Sequence, residues 1–431
     1  MKHHIFRGLA ALLMPLALAG GEWEAVKNAW SAAESARYEQ KGDELHIKLA
    51  TAGSGVWKRT FPLPAGGGVR IAAEASGPRA MNNNVVMTVK FLPRDPADRT
   101  PLPYHYVRWR DANGVRRFAD TFAVPEKAGS LEVRCIAKWM PGTATVFRKI
   151  SIAPADAPKP RPVRVAALKM KELRRASTRA AALKRLDETV DRVCTEKAPL
   201  DLLVLPEGWV ATSTRNRDEH CEAVPGGETF RILSRLAAKH RTYIVANLHE
   251  LDGKTVCNTS FIVGRDGGLV GKYRKVHLSA GEAEAGIAAG TEYPVFDLDF
   301  GKVGLMVCWD IWFPEPARIL KQKGAELLVL SIAADGQPEH AQSVWPARAI
   351  DNGIPLAVSI RGVYRSNAAA IYRCDGLIAA STCEDNDHAF AVLDLAERRP
   401  CLGLSVGYAL GDPNELYRFE RRPETYEEIT K

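Results

Sequence analysis

At 431 residues the chain is long for one hydrophobic core, and two domains are the expectation. Hydrophobic residues make up 46% and charged residues 26%, a globular rather than a disordered balance. The net charge of +8 is spread along the chain, without the basic stripe and interleaved aromatics of a nucleic-acid binder, so that class is set aside.

The N-terminus carries Lys2 and Arg7, then an apolar run from Gly8 to Ala19 ending in Ala17-Leu18-Ala19. That layout predicts a signal peptide over residues 1–20 and a secreted or periplasmic mature chain. The run is short for a bilayer span. A weak pattern over Glu22–Gln40 suggests a short helix.

Residues 21–153 read as a β-rich module. Strands are expected at Asp43–Ala50, Val69–Ala75, Val85–Leu92, Tyr104–Trp109, Ser130–Lys138 and Ala144–Ile152, with turn signals between them. Asp111-Ala112-Asn113-Gly114 is a strong hairpin signal. This spacing predicts an all-β sandwich, which resembles the jelly-roll, galactose-binding-like domains appended to exported enzymes. Trp57, Tyr104, Tyr106, Trp109 and Trp139 are either core residues or a carbohydrate platform, which would make a glycan a partner.

Residues 154–162, rich in proline, form the expected linker. From 163 onward, apolar strands alternate with helices. Strands are expected at Val163–Leu168, Leu202–Leu205, Tyr243–Leu248, Val256–Val263, Leu269–Val276, Pro294–Leu298, Val303–Val307, Leu327–Ile332, Pro355–Ile360 and Ala389–Leu393. Helices are expected at Thr178–Cys194, Thr229–His240, Pro314–Lys323 and His340–Asn352. The mixture is α/β, sheets covered by helices, over residues 163–431.

Three residues at strand ends carry the chemistry. Cys308 ends an apolar strand just before Pro314 opens a helix, where backbone N–H groups and the helix dipole favour thiolate. Glu207 follows the buried strand Leu202–Leu205, where burial helps make a general base. Lys275 lies where a third strand runs out. Base, cation and thiol together suit acyl transfer. Taken singly, a capping glutamate, a surface lysine and a core thiol explain them as well.

Pro206-Glu207, Tyr273-Arg274-Lys275-Val276-His277-Leu278 and Cys308-Trp309-Asp310 with Phe313-Pro314-Glu315 stand in the order of the signature segments of the nitrilase superfamily, the carbon–nitrogen hydrolases, which the chain resembles from Val163 onward. Arg422-Pro423-Glu424-Thr425-Tyr426 resembles the tail of many members. The resemblance implies an α-β-β-α sandwich, usually dimerised, and no metal or organic cofactor. It implies Glu207 as base, Lys275 as stabiliser of the tetrahedral intermediate, Cys308 as nucleophile through a thioester, and the Trp309 backbone N–H at the oxyanion. A second active-site glutamate is also implied, and of Glu282 and Glu284 the preference here is Glu284. Lys272 is the rival lysine, and His277 reads as structural rather than as half of a Cys/His pair.

The eight cysteines show no zinc-type spacing, and Cys374 with Cys383 is one conceivable local disulfide. The expected activity is hydrolysis of a non-peptide C–N bond in a small amide, carbamoyl or nitrile compound. The rival is a glycan-binding or cell-surface protein on an inactive hydrolase scaffold. Substrate choice is expected to rest on the loops Trp209–Arg217 and Ala333–Val344.

Overall fold

A computed structural model describes residues 21–26, 35–77, 83–170, 178–208, 220–333, 339–361, 368–382 and 387–430. The expected signal peptide, the expected substrate loop Trp209–Arg217, residues 334–338 of the loop Ala333–Val344, and Cys383 lie outside them. The chain forms two compact units, one of residues 1–159 with 400–431 and the other of 160–399.

The first unit is two sheets around one core. The first sheet runs in the order Glu24–Ala25, Ser54–Pro62, Ala128–Lys138, Val85–Pro93, Pro103–Tyr106, Gly407–Gly411, Cys401–Gly403. The second runs Ala36–Lys41, Glu44–Leu49, Ala144–Ala155, Gly68–Ser76, Val115–Ala123, Trp109–Ala112. Alternation decides which side chains go in: Leu131, Val133, Cys135 and Ala137 enter the core, while Glu132, Arg134 and Ile136 between them do not. Each large apolar side chain removed from water in this way contributes about 2 kcal/mol.

The hairpin at Asn113-Gly114 forms as expected, with Ala112 opposite Val115 and both turn residues at positive φ, 50° and 81°. That is the backbone of a two-residue turn matched to strand twist. The expected strand Tyr104–Trp109 is in fact a corner: Pro103–Tyr106 lies in one sheet and Trp109–Ala112 in the other. Between them Val107 is fully buried, and the Arg108 side chain donates to Asp120 at 2.7 and 2.5 Å. The strand Ser54–Pro62 was not expected, because Gly55 and Lys58-Arg59 interrupt its alternation. Gly55 is where this strand meets its neighbour, since a Cβ there would stand 2.4 Å from Ile47. The expected helix over Glu22–Gln40 is replaced, where described, by strands at Glu24–Ala25 and Ala36–Lys41.

The C-terminal segment corrects the expected domain boundary at 431. Residues 400–431 belong to the sandwich unit, not to the hydrolase unit. Leu410 and Gly411 pair in parallel with Pro103 and Tyr104. A helix at Pro413–Phe419, capped by the Asp412 side chain, sets Leu416 and Phe419 against Val86 and Tyr106. Glu415 accepts from the Tyr106 backbone N–H at 3.0 Å. Of the aromatics read as either core or a carbohydrate platform, Trp57 is in the core, Phe419 lies tilted against Trp109 with ring centroids 4.5 Å apart, and Arg422 covers Trp139 at 4.4 Å.

The second unit holds two mixed sheets. One runs Leu269–Arg274, Thr255–Val263, Tyr243–Asp252, Leu202–Val204, Pro162–Leu168, His388–Asp394, and the other Val295–Leu298, Gly301–Val307, Leu327–Ile332, Leu356–Ile360, Ala370–Tyr372, Ile378–Ser381. Their central strands are parallel, and each is buried on both sides. In the strand Pro162–Leu168, Val163, Val165 and Ala167 share a core with the second sheet. Ala166 and Leu168 instead meet residues of the helices Arg179–Glu196 and Glu228–His240. Strand ends of both sheets carry the polar residues described next.

Candidate active site

Cys308 follows the strand Gly301–Val307 and begins a single tight turn, Cys308–Trp312, before Pro314 opens the helix Pro314–Gln322. Its φ is +44°, in the left-handed region that a residue with a Cβ rarely adopts. Such a conformation persists only where the surroundings enforce it, and it occurs most at functional sites. Here Asp310, fully buried, does the enforcing. Its carboxylate accepts from the Val307 backbone N–H at 2.9 Å, the Tyr273 hydroxyl at 2.7 Å, and the His277 backbone N–H at 3.2 Å. His277 Nδ1 lies 2.9 Å from the same carboxylate, and its ring stacks on Phe313 at 4.0 Å. His277 thus ties the lysine-bearing strand end to the cysteine turn, which is the structural role expected of it.

Glu207 follows the strand Leu202–Val204 and is 7% exposed. Three donors converge on its carboxylate. The Lys275 ammonium stands 3.1 Å from Oε1, the Asn258 amide 2.8 Å from Oε1, and the Ala333 backbone N–H 2.9 Å from Oε2. The Cys308 thiol lies close enough to this carboxylate to feel its charge. Lys275, 2% exposed, donates on its other side to Glu282 Oε2 at 2.8 Å. Burial works against its charge, yet Glu207, the Cys308 sulfur and Glu282 together hold the ammonium above the ordinary lysine range. Glu282 sits below the ordinary range: its own burial acts to raise it, and Lys275, Asn258 and Ser279 overcome that.

Glu207, Lys275 and Cys308 are therefore brought together, and two expectations need correction. The second glutamate is Glu282, not Glu284, which is exposed on the short helix Ala280–Glu284. A signal for this lay in the sequence: Ser279-Gly281-Glu282 spacing forms a capping box, with the Ser279 N–H and hydroxyl both 2.9 Å from Glu282 Oε2. The box fixes the backbone so that the carboxylate turns inward. The second correction concerns the thiol, expected to be biased toward thiolate. Burial, then the Glu207 carboxylate, push Cys308 well above an ordinary thiol, and the opposing pull of Lys275 does not offset them. The resting sulfur is a thiol with an acceptor already in place.

Lys272, the rival lysine, is engaged elsewhere, paired with buried Glu250 and 3.3 Å from the Val224 carbonyl. Trp309 is 41% exposed beside the turn, and Trp312 is half-buried against it. Sequence reasoning missed the buried amides: Asn247 and Ser260, opposite each other on adjacent strands, join Asn258 in one chain of hydrogen bonds ending at Gly208. Their only sequence signal was polar residues inside apolar strands. Among the described residues, no group of His, Cys, Asp and Glu could hold a metal ion, and no helix is long and apolar enough to cross a membrane.

Comparison with known proteins follows this geometry. The sequence model of the carbon–nitrogen hydrolase family matches residues 164–401. A probable nitrilase of Schizosaccharomyces pombe is 33% identical over 189 residues, 42% of this chain and 68% of that protein. An omega-amidase of Saccharomyces cerevisiae is 32% identical over 237 residues, 50% of this chain and 81% of that protein. The crystal structure of an amidase from Nesterenkonia sp. superposes with a TM-score of 0.51 at 21% identity, covering 62% of this chain and 96% of that one, a likeness of fold.

Proposed function

The chain belongs to the carbon–nitrogen hydrolase family, and from that premise we propose that it cleaves the C–N bond of a small amide, carbamoyl or nitrile compound through a thioester on Cys308. One observation carries the reading: the Cys308 thiol, held on a left-handed turn, lies within the fields of Glu207 and Lys275, and Lys275 bridges Glu207 and Glu282 at 3.1 and 2.8 Å.

On an amide, Glu207 takes the thiol proton as Sγ bonds to the carbonyl carbon, and the carbonyl electron pair moves to oxygen. An ammonium has three N–H donors. Two of those on Lys275 go to Glu207 and Glu282, leaving one for the oxyanion. The Trp309 backbone N–H, in the first turn of a helix and so without a partner inside it, is the second oxyanion donor. As the carbonyl re-forms, the C–N bond breaks and the proton on Glu207 passes to the departing nitrogen, giving ammonia or an amine. Water then attacks the thioester carbon, Glu207 takes its proton, and C–S cleavage returns the proton to sulfur. A protonated resting thiol suits this sequence, because the base acts as the bond forms.

The wider reading keeps the α-β-β-α arrangement of the hydrolase unit and a homodimer. It also keeps export, on the strength of the leader-like N-terminus. Wild type and Cys308→Ala, incubated with a panel of small amides, ureido compounds and nitriles, test the chemistry. Ammonia release by wild type, a trapped acyl mass on Cys308, and no turnover by the variant are expected. Turnover that survives in Cys308→Ala overturns the mechanism.

A further inference from the structure

Asn258 is the least conspicuous polar residue at the site. It lies on the strand Thr255–Val263, 2% exposed. Its Nδ2 donates to Glu207 Oε1 at 2.8 Å and to Glu282 Oε1 at 2.6 Å. Its Oδ1 accepts from Asn247 Nδ2 at 2.8 Å, and the Asn247 Oδ1 in turn accepts from the Gly208 backbone N–H at 2.9 Å. The chain of acceptors and donors has one consistent direction. The backbone N–H of Gly208 fixes which end of Asn247 is oxygen, and that fixes which end of Asn258 is nitrogen.

We propose that Asn258 is a positioning residue that holds Glu207 and Glu282 apart on either side of Lys275, so that Glu207 faces the Cys308 thiol as its base. This inference rests on the reading of Cys308 and Glu207 given above. The physical need is specific. Two carboxylates converge on one ammonium; their Oε2 atoms are held by the Ala333 N–H and by Ser279, and the Asn258 amide is the neutral donor that reaches the Oε1 of both. A single –NH2 group has two hydrogens, one for each carboxylate, and carries no charge that titrates. Because Gly208 follows Glu207 directly, the same relay anchors the backbone of the base.

A titrating replacement discriminates positioning from mere packing. Asn258→Asp has nearly the same shape, but it donates to a carboxylate only while protonated. Glu207 and Glu282 favour that protonated form and the Lys275 ammonium opposes it, so the variant should function in part in acid and fail as pH rises. Asn258→Ala removes the bridge without adding charge. The probe is iodoacetamide, with alkylation of Cys308 followed by peptide mass spectrometry from about pH 5 to 9, and exposed Cys401 as internal reference. Asn258→Ala should slow Cys308 by about tenfold at every pH, with Cys401 unchanged. Asn258→Asp should recover part of the wild-type rate at the acid end, where its one O–H serves one carboxylate, and fall below Asn258→Ala at the alkaline end. Thermal unfolding of each variant, read alongside, identifies any loss of fold. An Asn258→Ala rate equal to wild type overturns the proposal. So does an Asn258→Asp rate lowered by one constant factor across the range. Glu207→Gln separates the two layers of the argument: if it alkylates as fast as wild type, the base reading fails and the inference with it. If Glu207→Gln is slow while Asn258→Ala is not, the inference fails alone.

Discussion

Two buried asparagines, one in each unit, are held in opposite ways. In the sandwich, Asn84 is 1% exposed, and neither polar atom of its side chain has a hydrogen-bond partner among the described residues. In the hydrolase unit Asn247 is equally buried, yet its amide makes three hydrogen bonds, within one connected set reaching Glu207, Glu282 and Lys275. A buried amide without partners costs stability, while one inside a satisfied network fixes geometry.

The largest effect should come from the centre of that network. Lys275→Ala leaves two carboxylates facing each other without their counter-ion and removes an oxyanion donor. Turnover should fall by about a thousandfold or more, measured as ammonia release on any substrate the wild type accepts. A modest loss would mean that the network does not place charge for catalysis. Asp310→Ala strips the acceptor from the Val307 and His277 backbone N–H groups and the Tyr273 hydroxyl. Stability should drop by about 4 kcal/mol in denaturant titration of the hydrolase unit's transition.

On the sandwich side, Phe419→Ala should cost about 3 kcal/mol, because Phe419 is 6% exposed against Tyr106 and Trp109. Tryptophan fluorescence during unfolding reads it, and no effect would show that the C-terminal segment is not integral to this unit. Asn84→Leu sharpens the comparison most directly. It should be neutral or stabilise by about 1 kcal/mol, whereas Asn247→Leu should destabilise and inactivate.

The smallest effect concerns pH. The folded pKa of Glu282 lies below its unfolded value, so its contribution is present above the unfolded value and is lost as pH falls through the folded one. Lys275 and Cys308 have folded pKa values above their unfolded ones, so what they contribute is complete below the unfolded values and declines as pH rises through the folded ones. Stability should therefore be flat near neutrality and decline on both limbs. Glu282→Gln should flatten part of the acid limb and Cys308→Ala part of the alkaline one, as melting temperatures across pH would report.

Much of this was legible in the sequence. Apolar runs and helical periodicity placed most strands and helices within a few residues, because buried parallel strands and amphipathic helices impose simple periods. Strand ends marked Glu207, Lys275 and Cys308 as candidates. What periodicity could not decide was which side chains meet across distant segments. Glu282 was separated from Glu284 by the capping box, a local signal. Asn258, 51 residues from Glu207 in sequence, is recruited only by strand pairing. The corner at Val107-Arg108 and the return of residues 400–431 to the sandwich depend on long-range packing, which leaves no local period.

The sequence by itself determined the character of each unit and marked Glu207, Lys275 and Cys308 as candidates, since local hydrophobic period and the residues at strand ends carry that information. Tertiary structure alone decided the protonation bias of the Cys308 thiol. The helix-end argument favours thiolate locally, but burial and the Glu207 carboxylate, both products of the assembled fold, outweigh it.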